Sequence, residues 1–153
     1  MFTHFLWECL GTDRPIYPYA DPIARCPFAV MDPGQYFPWH FDGNEFTVSL
    51  LVQAADAGGI FEYAPNIRRP DNECYDAVQH VLEGGRDGVH QLELTPGDLQ
   101  LFSGRHSMHR VTEVTGSTTR YIALPSYSFD PWRMNRPHHS VNYYGRALDV
   151  HHH

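Results

Sequence analysis

The 153-residue sequence is poor in cysteine, in positive charge and in unbroken apolar stretches, and each shortage removes a class of protein. Its three cysteines, Cys9, Cys26 and Cys74, are scattered and form no Cys-x-x-Cys pair. Neither a disulfide scaffold nor a thiolate zinc site is expected, and the thiols read as free in a reducing compartment. Eleven Lys plus Arg against 18 Asp plus Glu leave a formal net charge of -7. That balance repels phosphate backbones and anionic lipid, so neither nucleic acid nor a membrane surface is expected as a partner. No apolar run approaches the roughly 20 residues of a membrane span. The opening "MFTHFLWECLGTDRP" lacks the basic start and long apolar stretch of a secretory signal, and a cytoplasmic protein is expected. Repeats and low-complexity linkers are missing too, so residues 1–153 read as one domain.

What is present is an ordinary globular composition, 42% hydrophobic, 14% aromatic and 19% charged, enough for a packed core. After a Pro-rich opening at residues 14–27 come short apolar or alternating runs: "FAVM", "EFTVSLLVQA", "GIFEYA", "HQLELT", "DLQLFSG", "MHRVTEV" and "RYIALPSY". Rich in β-branched and aromatic residues and bounded by Gly, Pro or Asp, they predict at least seven strands. One helix is expected at residues 72–83, where Tyr75, Val78, Val81 and Leu82 recur at helical spacing, Asp71 is available as a cap and Gly84-Gly85 end the pattern. Many short strands with a single helical insertion predict an all-β sandwich, jelly roll or small barrel. Residues 137–153 read as an irregular or helical tail. The histidines there, His138, His139 and His151 to His153, are given no catalytic weight.

Chemistry enters at "WHFDG", residues 39–43. On a strand, residues two apart share a face, so His40 and Asp42 can converge on one point. Alone such a triplet is weak, since a solvated strand end looks the same. A second stretch, "GDLQLFSGRHSMHRVTEVTGSTTRYIALPSY", adds His106, His109 and Arg120. The odd spacing of the two histidines puts them on opposite faces of a regular strand, so at most one joins the site; His109 is the better candidate. With "TGST" taken as a type II′ hairpin turn centred on Gly116 and Ser117, His109 pairs opposite Leu124 and shares its face with Ile122 and Arg120. The four residues from 124 to 120 span about 13 Å at roughly 3.3 Å per residue. That separation suits a small dicarboxylate held by a metal at one end and by a forked guanidinium at the other. Two histidines and one carboxylate with the remaining positions open form the facial triad whose usual metal is non-haem Fe(II).

At these residues the sequence resembles the Fe(II)/2-oxoglutarate-dependent oxygenases of double-stranded β-helix (jelly-roll) fold, in the branch of the radical amino-acid halogenases and their hydroxylase relatives. The stretches that carry the resemblance are "PGQYFPWHFDGNEFTVSLLVQAADAGGIFEYAPNIR", "PGDLQLFSGRHSMHRVTEV", "TRYIALPSY" and "YYGRAL", spread between residues 33 and 148. Position by position, it implies that His40, Asp42 and His109 bind iron and that Arg120 holds the distal carboxylate of 2-oxoglutarate. It implies Fe(II) as metal, 2-oxoglutarate as cosubstrate, O2 as oxidant, and a small-molecule substrate such as a free amino acid or specialised metabolite. Halogenases of the branch carry Gly or Ala at the position of Asp42, so the resemblance implies hydroxylation here. Relatives also carry an N-terminal helical region, which this chain is expected to lack, starting near the β core. Trp39, Asn44, Tyr63, Asn66 and Arg68 are candidates to line the substrate pocket, with sheet packing the rival role for Trp39, a turn for Asn44, and loop bracing for the other three. Two further readings stay open: a non-catalytic metal-binding jelly-roll or cupin-like module, and an inactive truncated oxygenase. Cupins commonly bring three histidines and a glutamate, so the carboxylate two residues after His40 favours the oxygenase. Self-association is left open.

Overall fold

The computed structural model describes residues 2–152. In chain order its elements are α1 (Phe2–Leu10), β1 (Tyr17–Pro18), β2 (Phe28–Met31), β3 (Phe37–His40), β4 (Thr47–Gln53), β5 (Phe61–Ala64), α2 (Tyr75–Leu82), β6 (His90–Leu92), β7 (Leu99–Phe102), β8 (Met108–Val111), β9 (Arg120–Ala123), β10 (Tyr127–Ser128) and α3 (Pro137–Tyr144), then a 3-10 turn at Asp149–His152. They divide into two compact units, Phe28–Ala123 and the flanking residues 2–27 with 124–152.

The central unit is a jelly roll. Two four-stranded antiparallel sheets, ordered β2-β9-β4-β7 and β3-β8-β5-β6, take successive strands largely in alternation. In the first sheet Thr47 lies opposite Phe102, Ser49 opposite Gln100, Leu51 opposite Ile122 and Met31 opposite Arg120, so these side chains share one face. Phe102 meets Phe61 of the second sheet edge to face at 5.2 Å, which identifies that face as the interior. Met31, Leu51, Phe61 and Ile122 are buried there, as β-branched and aromatic alternation predicts.

The second sheet is two-faced. Its register sets His40 opposite His109, His109 opposite Tyr63, and Tyr63 opposite His90, a row across all four strands. One residue along, the reverse face carries Arg110 opposite Glu62 and Glu62 opposite Gln91. Helix α2 covers that reverse face: its Val81 is buried with Ala64 and Met108, and Trp39, Phe41 and Val78 pack on them. Beside them Arg110 Nε donates to Glu62 at 2.6 Å, Gln91 donates to the same carboxylate at 2.8 Å, and the Arg110 guanidinium stacks on Trp39.

Two expectations need correction. The described residues form three α-helices, α2 being the insertion expected at residues 72–83. That helix starts at Tyr75 with Cys74, in the left-handed region at φ 49°, as its N-cap, so Asp71 lies too far upstream to cap it. The "TGST" hairpin does not form. β8 pairs with β3 and β5 while β9 pairs with β2 and β4, because residues 112–119 cross from one sheet to the other. Along that crossing Thr112 and Thr115 donate to the carbonyls of Ile60 and Ala57, and Asp56 accepts from Thr118 N–H and the Ser117 hydroxyl.

In the flanking unit β1 pairs with β10, the Phe2 ring meets Tyr127 at 5.7 Å, and Arg14 stacks on Phe129. Ahead of β1 the described residues form a short helix, α1. α3 follows sequence logic, with Pro137 in its first turn and Gly145 at φ 71° closing its C-terminus. The 3-10 turn is anchored rather than solvated: the side chains of His151 and Asp21 are fully buried and meet at 3.1 Å. Cys9, Cys26 and Cys74 are free thiols. Among the described residues no helix is long and apolar enough to cross a membrane.

Candidate metal centre

β3 can hold Pro38 because it is an edge strand, where a missing N–H leaves no gap in the ladder. Its pairing with β8 slips between Phe37 and His40, the kind of irregularity that re-aims a side chain. The strand ends at His40, so Asp42 lies beyond it, and the common-face reading of the two does not describe their geometry. Asp42 is placed instead by its backbone N–H, which donates to the Gly104 carbonyl at 3.0 Å, and by the Thr47 hydroxyl, which donates to Oδ2 at 2.5 Å.

His40, Asp42 and His109 each present one donor atom, and all three lie within 4.8 Å of one another. Asp42 Oδ1 is 3.5 Å from His109 Nε2 and 3.7 Å from His40 Nε2. The His109 Nδ1 faces the Ser107 carbonyl at 2.9 Å and the His40 Nδ1 faces the Pro38 carbonyl at 2.8 Å. A carbonyl can only accept, so both rings carry their proton on Nδ1 and turn bare Nε2 lone pairs inward. Three lone-pair atoms then face one another and repel unless a cation sits between them. Ligand bonds of about 2.1 Å would separate such donors by roughly 3.0–3.4 Å, slightly less than the 3.5 and 3.7 Å from Asp42 Oδ1 to the two imidazoles.

The electrostatics agree. Burial, reinforced by the neighbouring His109, holds the His40 imidazole below its ordinary pKa, favouring the neutral ligand form. His109 is 4% exposed and packed by the rings of Phe102 at 4.9 Å and Phe61 at 5.6 Å.

Phe61 links this cluster to a cavity of about 200 Å³, far above the ~15 Å³ that one water needs. Leu51, Gly59, Leu92 and Arg120 help line it. Arg120 is 3% exposed, and among the described residues its guanidinium has no hydrogen-bond or ion-pair partner. A buried, unanswered guanidinium beside a cavity is a site for an anion. Arg120 and His109 thus reach one interior from opposite sheets, a different route from the hairpin expected.

The remaining candidates separate. Tyr63 shares the interior row, directly opposite His109. Asn44 sits half-buried in the bend after Asp42. Trp39 packs on the reverse face. Arg68 braces loops, donating to the Arg105 carbonyl and to Glu73 and stacking on Phe41 at 3.9 Å. Asn66, at φ 50°, has its N–H on the Ser107 hydroxyl. His106 sits in the loop before β8 and is not among the convergent donors. Thr47 and Gly104 escaped the sequence reading. Their signal is three-dimensional: Thr47 stands in the same stretch as His40 and Asp42 but reads there as an ordinary strand residue, and Gly104 is distant in sequence.

The family model for Halogenase D matches residues 25–140. Among solved structures, the chain is similar to an oxidoreductase of the 2OG-Fe(II) oxygenase family from Burkholderia pseudomallei, with 21% identity and a TM-score of 0.60 over 84% of this chain and 50% of that one. It is also similar to AviO1 from Streptomyces viridochromogenes Tue57, with 17% identity and a TM-score of 0.63 over 89% of this chain and 60% of that one. The chain therefore spans only half to three fifths of those proteins, and at such identities the likeness establishes the fold. No curated protein matches.

Proposed function

The chain belongs to the Halogenase D family, and on that premise we propose that it is an Fe(II)- and 2-oxoglutarate-dependent oxygenase that hydroxylates a small molecule, a free amino acid or specialised metabolite. The observation that carries this reading is the convergence of two Nδ1-protonated imidazoles and one carboxylate around a common point. Such a donor set suits ferrous iron and leaves one side of the metal open. Bound together there, ferrous iron and 2-oxoglutarate supply the oxidising power, O2 being consumed as the cosubstrate is converted to succinate and CO2.

The protein's own part is placement. His40 and His109 would offer Nε2 and Asp42 would offer Oδ1, while the Pro38 and Ser107 carbonyls fix the tautomers. Arg120, buried and with no polar partner for its guanidinium among the described residues, would take the far carboxylate of the cosubstrate through its two-pronged head. Phe61 and Phe102 exclude water from the inner side of His109. Tyr63 and Asn44 are the residues best placed to meet a substrate. Trp39, Asn66 and Arg68 are assigned to framing the pocket walls. Hydroxylation is preferred to halogenation because a carboxylate occupies the donor position that a halide would need.

Anaerobic Fe(II) followed by 2-oxoglutarate tests the reading. A weak visible charge-transfer band is expected, and Arg120→Ala should weaken cosubstrate binding while leaving iron binding intact. Screening amino acids for substrate-dependent succinate release then identifies the substrate. Folded protein that gives no band contradicts the proposal.

A further inference from the structure

The two oxygens of Asp42 live in different surroundings. Oδ1 looks toward the imidazoles at 3.5 and 3.7 Å. Oδ2 accepts the Thr47 hydroxyl at 2.5 Å and lies against Gly104, where an added β-carbon would collide with that oxygen and with Cγ. Thr47 is itself held firmly, as the first residue of β4, in register with Phe102 of β7, whose ring packs on His109. The strand pair that supports His109 from the inside therefore also aims a hydroxyl at the outer oxygen of Asp42.

We propose that Thr47 is a positioning residue which, with the bare backbone of Gly104, commits Asp42 to bind the metal through Oδ1 alone. This rests on reading the cluster as a metal centre. A carboxylate free to turn can chelate with both oxygens and occupy two coordination positions. With Oδ2 hydrogen-bonded and wedged against Gly104, the second position stays available to cosubstrate and oxygen. Groups behind a ligand typically change metal affinity by about tenfold to a hundredfold.

Anaerobic titration with Co(II), whose visible ligand-field bands report coordination number and geometry, provides the test. Wild-type protein should bind one Co(II). Thr47→Val should weaken binding about tenfold or more and alter the bands toward a higher coordination number, with metal-free melting temperature and far-ultraviolet circular dichroism unchanged. Thr47→Ser, which keeps the hydroxyl, should restore both affinity and spectrum. Gly104→Ala should perturb the bands independently, by pushing Oδ2 from its place. Wild-type affinity and an unchanged spectrum in Thr47→Val would overturn the positioning role while leaving the metal centre standing. Wild-type protein without Co(II) bands would instead remove the metal reading, and the proposal with it.

Discussion

Two acid–imidazole clusters, one in each compact unit, differ in one respect that separates architecture from chemistry. In the flanking unit Asp21 is saturated by its neighbours. Its Oδ1 accepts the N–H groups of Ile23 and Ala24 at 2.8 and 2.9 Å, and its Oδ2 accepts that of Asn135 at 3.1 Å and faces His151 Nε2. His151 in turn accepts the Leu148 N–H at Nδ1, so its proton lies on Nε2, pointing at the carboxylate. The carboxylate there is met by three backbone N–H groups and lies 3.1 Å from the imidazole. In the jelly roll the tautomers are reversed: carbonyls claim the Nδ1 protons of His40 and His109, and the bare nitrogens face a carboxylate. The first cluster is closed and holds chain segments together. The second is open and asks for a cation. The same residue types, distinguished only by which ring nitrogen the backbone engages, serve opposite ends.

That contrast can be broken at either cluster. The largest expected effect is on metal: Asp42→Ala should lower Fe(II) or Co(II) affinity by more than about a hundredfold, beyond the loss usual for groups behind a ligand, with little change in metal-free melting temperature. Asp21→Ala should do the reverse. It strands three backbone N–H groups and an imidazole, costing about 3 kcal/mol of stability in chemical denaturation, while metal affinity stays at the wild-type value. If the two variants behaved alike, the distinction between open and closed clusters would fail.

A second contrast, between two arginines, gives a smaller effect. Arg110 is spent on Glu62 and Trp39, whereas Arg120 is buried and, among the described residues, its guanidinium has no polar partner. Arg120→Ala should weaken 2-oxoglutarate binding by roughly tenfold to a hundredfold, the worth of a lost charge-assisted bond of about 1.5–3 kcal/mol. Gly59→Ala should produce a milder loss, measurable by calorimetric titration with the cosubstrate. Gly59 has φ +65°, and its added β-carbon would press on Arg120 Cδ at 3.0 Å.

The smallest effect concerns pH. Burial raises the carboxyl of Asp21, and the backbone N–H groups of Ala24 and Asn135 with His151 more than reverse it. Burial likewise raises Glu62, and Gln91 and Arg110 reverse it. Each folded-state value thus lies below that group's ordinary value. Their stabilisation is fully present above those ordinary values and is lost as pH falls through the lower folded-state values. Denaturation midpoints should be flat from about pH 7 to 5 and fall below about pH 4. Glu62→Gln should flatten that fall.

Much of this was legible in the sequence, for reasons that also mark the limit. Strand existence could be read, because "TVSLLVQ" and "RYIA" are β-branched runs between turn residues. The choice of His109 over His106 could be read as well, since alternation assigns faces. Alternation cannot assign sheets, however, and a hairpin and a crossover share the same period. Arg120 was therefore placed on the right side of the interior through the wrong neighbour. α1 escaped because "FTHFLWECL" has no acidic first turn and no basic last turn to announce it. His151 was discounted as chain end, yet it fills a buried position, because a partner 130 residues away leaves no local trace. Gly104 was invisible for the same reason, whereas Thr47 lies only five residues from Asp42 and was simply read as a strand residue.

X-ray absorption at the iron edge, on anaerobic protein carrying one equivalent of Fe(II), tests the central claim most directly. Two imidazole nitrogens and one carboxylate oxygen should appear in the first shell, and His109→Ala should lose one of the imidazoles. An iron environment identical in wild type and His109→Ala, or one without imidazole scattering, would contradict the account.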